Sequence, residues 1–126
     1  MFPGLIPAMV SPFDERGELD LGATEAVVER FIEAGVSGIP PLGSTGAFSQ
    51  LLGEERKRFV EEVVKIVDGR VLLVVGVGAA GTKEAVELAR HASSLSSDAQ
   101  YAFAFRPATT GLRTKRSSTC HPTKAR

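Results

Sequence analysis

Apolar and polar positions fall into blocks along residues 5–99, and the blocks differ in period. Leu5 to Val10 is a short apolar run closed by Ser11-Pro12, which predicts a strand. From Leu21 to Ala34, the side chains of Ala23, Val27, Phe31 and Ala34 recur at helical spacing, with Asp20 placed to cap the helix and Gly35 to stop it. Val36 to Leu42 predicts a second strand, which runs into Gly43-Ser44-Thr45-Gly46. Glu54 to Val67 predicts a second helix, with Phe59, Val60, Val63, Val64 and Val67 on one face and Gly69 just beyond. Val71 to Val75 is an unbroken aliphatic run, the pattern of a strand buried on both faces. Thr82 is the expected cap of a third helix reaching about Leu95, and Asp98 to Phe105 is the expected start of a fourth strand.

Strand–helix units repeating every thirty residues or so give an α/β class with a parallel sheet, either doubly wound or a TIM barrel. The 126 residues, 43% hydrophobic and 24% charged, exclude wholesale disorder and collagen-like repetition. No apolar run approaches the length of a membrane span, so no membrane partner is expected. The N-terminus lacks the basic and apolar regions of a secretory signal, and the single cysteine, Cys120, has no internal partner. Both point to a reducing cytoplasm. Net charge is zero, but unevenly distributed. Residues 1–99 carry all 15 acidic side chains and 9 of the 15 basic ones, whereas residues 100–126 are purely basic, rich in Ser and Thr, and without Val or Ile. The expected organisation is therefore a folded segment over 1–99 and a tail over 100–126, read as disordered or out of frame. A nucleic-acid-binding arm is disfavoured because the tail has no basic-helix periodicity and no folded nucleic-acid motif.

Two strand ends are candidates for chemistry. Gly76-Val77-Gly78-Ala79-Ala80-Gly81 is a GxGxxG sequence between a strand and a helix, the context in which backbone amides cradle a pyrophosphate. Asp98 lies within reach of a ribose-binding role. Its plain reading is a tight strand-to-helix turn, because the motif follows the third strand rather than opening the chain. Pro41-Leu42-Gly43-Ser44-Thr45-Gly46 sets two hydroxyls between glycines, where side-chain oxygens and backbone amides can meet a carboxylate or phosphate. By itself it is more commonly an ordinary turn.

The blocks Leu5-Ile6-Pro7-Ala8-Met9-Val10-Ser11-Pro12-Phe13-Asp14, Gly17-Glu18-Leu19-Asp20 and Ile32-Glu33-Ala34-Gly35-Val36-Ser37-Gly38 come in order with Gly43-Ser44-Thr45-Gly46. They continue through Glu54-Glu55-Arg56-Lys57-Arg58, Gly76-Val77-Gly78-Ala79 and Glu87-Leu88-Ala89-Arg90-His91-Ala92. This series resembles the N-terminal portion of the dihydrodipicolinate synthase and N-acetylneuraminate lyase family. The resemblance implies the first part of a (β/α)8 TIM barrel and a class I aldolase or lyase acting on pyruvate or another 2-oxo acid. In that family a lysine on the sixth strand forms the Schiff base and a tyrosine on the fifth relays protons. It implies no separate cofactor or metal, and homo-oligomers are usual in it. Carried onto this chain, Thr45 with nearby amides would bind the substrate carboxylate, and Ser44 would bind substrate and join the proton relay.

The chain also departs from the family pattern. Ala47 stands where many members have Glu, and Leu52 where a Ser or Thr helix cap is usual, a loss worth about 1 kcal/mol. The Schiff-base lysine and relay tyrosine have no counterparts, and a whole barrel takes about 250 residues. Such a chain reads as a fragment, inactive alone, or as a non-catalytic scaffold. No role is carried onto Tyr101. His91 reads as a surface or partly packed side chain, Arg56-Lys57-Arg58 as the solvated face of the second helix, and Cys120-His121 as lacking further metal ligands.

Overall fold

The computed structural model describes residues 4–95 and 97–102. The tail beyond 102, with Cys120 and His121, lies outside the described residues. In chain order the elements are helix α1 (Leu21–Glu33), strand β1 (Gly38–Ile39), a 3₁₀ turn (Phe48–Gln50), helix α2 (Gly53–Val67), strand β2 (Leu72–Gly76), helix α3 (Thr82–Ser94) and strand β3 (Ala99–Tyr101). The three strands form one parallel sheet in the order β1-β2-β3. β1 pairs with Leu72 and Leu73, at the start of β2, whereas β3 pairs with Val74, Val75 and Gly76, at its end. Strand β3 runs across the compositional break at Ala99.

Period 2 in β2 sorts its side chains between two faces. Leu73 and Val75 are buried beneath the helices, packed with Phe59, Val60 and Val63 of α2, Val28 of α1, and Leu88 and Ala92 of α3. Helix α2 lies between α1 and α3 behind the sheet. Leu72 and Val74 are only half-buried. The aliphatic run thus marks a strand with one fully covered face, not two.

Helix α1 starts as its sequence predicts, with Asp20 Oδ1 accepting from Ala23 N at 2.9 Å. The start of α3 differs from expectation. Gly81 is the N-cap and makes no side-chain bond, while Thr82 is already the first helical residue. Helix α2 begins after Leu52, which is 72% exposed and has no side-chain acceptor to offer. Only the reciprocal bond of a capping box forms there, from Leu52 N to Glu55 Oε2 at 2.6 Å.

Two strand expectations shorten for one reason. Leu5 to Val10 forms no strand among the described residues. Its backbone bond to the sheet region runs from Ser37 N to Leu5 O at 2.8 Å, Pro7 has no N–H to donate, and Leu5 is 67% exposed. Beyond Ile39 the second strand enters Pro40-Pro41, which accepts but cannot donate. The ladder continues there through Gly76 N to Pro41 O at 2.9 Å. Leu42 then turns the chain with φ +62°.

Candidate functional site

The carboxyl ends of β1 and β2 meet through a close backbone crossing. A Cβ on Gly76 would stand 2.2 Å from Leu42 O and 2.7 Å from its carbonyl carbon, so only glycine lets the two loops pass. Leu42, fully buried, holds a left-handed φ that costs a non-glycine residue roughly 1 kcal/mol or more. The crossing aims the following segment, Gly43–Gly46, over the face of the sheet turned away from the helices. Ala47, also left-handed at φ +51°, closes the turn with its N–H donating to Ser44 O at 3.1 Å. Ser11, buried, donates from Oγ to Gly46 O at 2.7 Å and ties the turn to the N-terminal segment.

The turn borders a cavity of about 330 Å³, lined by Ser44, Thr45, Gly43, Met9, Val74 and Tyr101 among others. Both predicted hydroxyl residues are exposed there, so the structure brings Ser44 and Thr45 together on one rim. It adds a residue that motif reading missed. Tyr101 reaches the same cavity from β3, and a Cβ on Gly43 would stand 2.7 Å from its hydroxyl. Burial pushes the Tyr101 phenol above its ordinary value of 10.0, keeping it a neutral donor at neutral pH. Strand alternation carried the signal. Gln100 bonds Ser93 Oγ on the helix side at 2.7 Å, so the next residue must face the opposite way.

The GxGxxG segment is built for a different purpose. Gly76 accommodates Leu42, Gly81 caps α3, and Gly78 offers its carbonyl to Arg56 Nη1 at 2.9 Å. A carbonyl turned to a guanidinium is the reverse of an amide nest for phosphate, so the dinucleotide reading is not favoured. Asp98 is occupied too, accepting from Leu73 N at 2.8 Å.

That arrangement also corrects the reading of Arg56-Lys57-Arg58 as a solvated face. Arg56 is only 6% exposed. Its Nε donates to Leu51 O at 3.2 Å, Glu84 lies 3.7 Å away, and the guanidinium sits 5.2 Å from the Phe48 ring centroid. Lys57 bridges Glu87 at 2.6 Å and Glu54 at 2.9 Å. The bonds to Glu87 and Glu54 raise its pKa far above the usual lysine range, fixing it as a cation. Arg58 is exposed, as expected. His91 is half-buried with Nε2 2.9 Å from Glu61 Oε1. Among the described residues, no three His, Cys, Asp or Glu side chains converge as a metal site, and no helix is long and apolar enough to cross a membrane.

Comparison with known proteins follows the same blocks. The sequence model of the Dihydrodipicolinate synthetase family matches residues 1–107. A 4-hydroxy-tetrahydrodipicolinate synthase of Phenylobacterium zucineum is 46% identical over 99 residues, which are 79% of this chain and 33% of that protein. A probable 2-dehydro-3-deoxy-D-pentonate aldolase of Escherichia coli is 44% identical over 97 residues, 77% of this chain and 32% of the relative. Among solved structures, the pyruvate complex of YagE, a prophage protein of Escherichia coli K12 from the dihydrodipicolinic acid synthase family, superposes with a TM-score of 0.78. It is 38% identical over 81% of this chain and 34% of that one. The N-acetylneuraminate lyase of Mycoplasma synoviae gives a TM-score of 0.77 at 39% identity, over 80% of this chain and 35% of its own. The chain thus spans about a third of the length of these relatives, and its three parallel strands and helices form the N-terminal part of a TIM barrel.

Proposed function

The chain belongs to the dihydrodipicolinate synthetase family, and from that premise we propose that it carries the carboxylate-recognition turn of a Schiff-base aldolase or lyase acting on pyruvate or a related 2-oxo acid. One observation carries the reading. Two exposed hydroxyl residues, Ser44 and Thr45, sit on a constrained turn beside a cavity at the carboxyl ends of parallel strands. In this reading Thr45 Oγ1 donates to a carboxylate oxygen, backbone N–H groups share the charge, and the fixed acid presents its C2 carbonyl for attack. Ser44 passes a proton between substrate and a relay.

The covalent step itself needs a neutral amine. Lysine attack at C2 expels water and leaves an imine; on cleavage the electron pair of the C–C bond drains into it to give an enamine, and in the synthetic direction the enamine supplies the pair for the new bond. Lys57 is held as a cation by two carboxylates, Lys65 pairs with Glu62 at 3.3 Å, and no described lysine lines the cavity. The described residues thus hold the acid without supplying the amine, and we read the chain as inactive alone, a segment of a longer enzyme or a complementing piece. A reducing cytoplasm suits its single cysteine, and the folded unit extends through β3 to Tyr101, two residues past the compositional break at Ala99.

Titrating pyruvate into the ¹⁵N-labelled chain tests the reading. Amides of residues 43–47 are expected to shift saturably in the millimolar range, and Thr45→Val to weaken capture roughly tenfold, the loss of one charge-assisted hydrogen bond. Unmoved amides at this turn would overturn it. Borohydride trapping with pyruvate is expected to leave the intact mass unchanged.

A further inference from the structure

We propose that Ser11 is a positioning residue for carboxylate capture: its buried hydroxyl sets the peptide that orients the Ser44-Thr45 turn, without itself touching the substrate. The inference rests on the carboxylate-capture reading and adds to it a residue 35 positions earlier in the chain.

One peptide unit holds the turn. Ser11 Oγ donates to Gly46 O at 2.7 Å, and at the other end of the same peptide Ala47 N donates to Ser44 O at 3.1 Å. The 46–47 unit is thereby fixed at both of its polar ends. Because a peptide is planar and trans, fixing the Ser44 carbonyl also fixes the N–H of Thr45, which points the opposite way. That N–H and the Thr45 hydroxyl make no hydrogen bond among the described residues, and Thr45 is exposed, so both can meet an anion.

Ser11 can anchor the turn because it is itself anchored. Its neighbour Pro12 accepts from Asp20 N at 3.0 Å, and Asp20 caps α1 through its side chain. Met9, two residues before Ser11 and on the same side of the extended segment, is fully buried. The approach to the turn is close. A Cβ on Gly46 would stand 3.2 Å from Met9 O and 3.3 Å from Ser11 Oγ. Ser11 and Gly46 are both buried, so water does not take the place of the hydroxyl. A buried carbonyl that loses its donor gains by turning toward another, and turning it rotates the 46–47 peptide and releases Ser44 O.

Pyruvate titrations of ¹⁵N-labelled full-length variants, followed at the amides of residues 43–47, test the assignment, with urea unfolding of each variant as the stability control. Ser11→Ala is expected to raise the pyruvate dissociation constant about tenfold in chain that is still folded, and Ser11→Thr, which keeps the hydroxyl, to bind within about twofold of the parent. Combined with Thr45→Val, Ser11→Ala should weaken binding by less than the product of the two single losses, since both act through the same turn. Ser11→Ala binding like the parent while only its urea midpoint falls, single losses that simply multiply, or a loss that Ser11→Thr leaves unrepaired would each overturn the positioning role and leave the turn reading intact. Parent amides that do not respond to pyruvate would overturn both. Should Ser11→Ala not fold, Ser11→Cys, which keeps the shape and weakens the donor, is expected to bind more weakly than the parent, and equal binding would overturn the role.

Discussion

Replacing Arg56 by Met removes a buried charge that fastens two loops, and the cost can be worked out bond by bond. Methionine nearly fills the volume of the arginine stem, so cavity formation is a minor contribution. Two carbonyls, Leu51 O and Gly78 O, lose their donors. Leaving a buried acceptor unsatisfied costs about 1–3 kcal/mol each. Contact of the guanidinium with the Phe48 ring adds about 0.5–1 kcal/mol. The ion pair to Glu84 adds little, because the carboxylate is 45% exposed and its distance is 3.7 Å. Against these losses stands the relief of no longer burying a charge, which brings the expected net destabilisation to about 2–4 kcal/mol. For a domain of this size, 1 kcal/mol moves the melting temperature by roughly 4–8 °C, so Arg56→Met should melt roughly 10–30 °C below the parent. Urea unfolding followed by circular dichroism measures it. Arg56→Lys, able to reach one carbonyl, should fall between the two, and Glu84→Gln should stay within about 1 kcal/mol of the parent. An Arg56→Met chain within about 0.5 kcal/mol of the parent would show that the two loops hold their places without the guanidinium.

Gly76→Ala is expected to destabilise by about 3 kcal/mol or more, since its methyl has no space beside Leu42 O, whereas Leu42→Gly should relieve a strained φ at the expense of a buried side chain; calorimetric melting separates them. NAD and NADP should show no saturable binding by isothermal calorimetry, and micromolar binding abolished by Gly78→Val would restore the dinucleotide reading. Absorbance at 295 nm should place the phenol of Tyr101 above 10.0, with stability complete below that pH and falling as pH rises further, because the folded state favours the protonated form. At the acid end, hydrogen bonds from Lys57 to Glu87 and from Arg70 to Glu29 lower the pKa of both carboxyls. Their stabilisation is present above pH 4.5 and is lost as pH falls through the lowered values, and Glu87→Gln should flatten that loss in acid titrations followed by circular dichroism. Reading the coding sequence just past β3 in the other two frames is expected to give a continuation with tyrosines and a downstream lysine, and no such continuation in either frame would remove the out-of-frame account of the tail.

Helix periodicity is legible in the sequence because it is a local property. Asp20, Gly35 and the aliphatic stripe of α2 each act within a turn or two of their own position, whereas the stripe expected on α1 is displaced by one residue: Thr24 and Val28 are buried, Ala23, Val27 and Phe31 are half-buried, and Ala34 is exposed. Strand lengths are harder, since a ladder depends on a partner. The N-terminal run is apolar enough for a strand, yet Pro7 and its exposed leucine leave it as an extended segment. Ser44 and Thr45 can be named from their motif. Tyr101 is harder, because alternation along β3 assigns its face while its place beside the turn depends on the register between β2 and β3. Arg56 misleads for a related reason. Three successive basic residues resemble a solvated face until tertiary packing turns one of them inward to two carbonyls contributed by different loops.

The pairing offset along β2 has its own consequence. Because β1 meets the strand at Leu72–Leu73 and β3 meets it at Val74–Gly76, each successive strand is displaced along its neighbour, the shear that a closing barrel requires. The upper rim of the sheet is therefore a staircase, and Leu42, Gly76 and Tyr101 occupy adjoining steps although their strands contribute unequal lengths. On a staircase, height is inherited: a residue's level is set by the rung its strand is hung from, not by its distance from the preceding helix. Asp98, bonded to Leu73 through both its backbone N–H and its carboxylate, is the rung for β3. Inserting one residue between Asp98 and Ala99 would leave that rung in place and bring Gln100 to the position Tyr101 now holds, or else drag Asp98 off Leu73. In the first case the phenol turns toward the helices, and in the second the strand loses its anchor, so the count of residues from Asp98 sets the chemistry of the cavity as firmly as the side chains that line it.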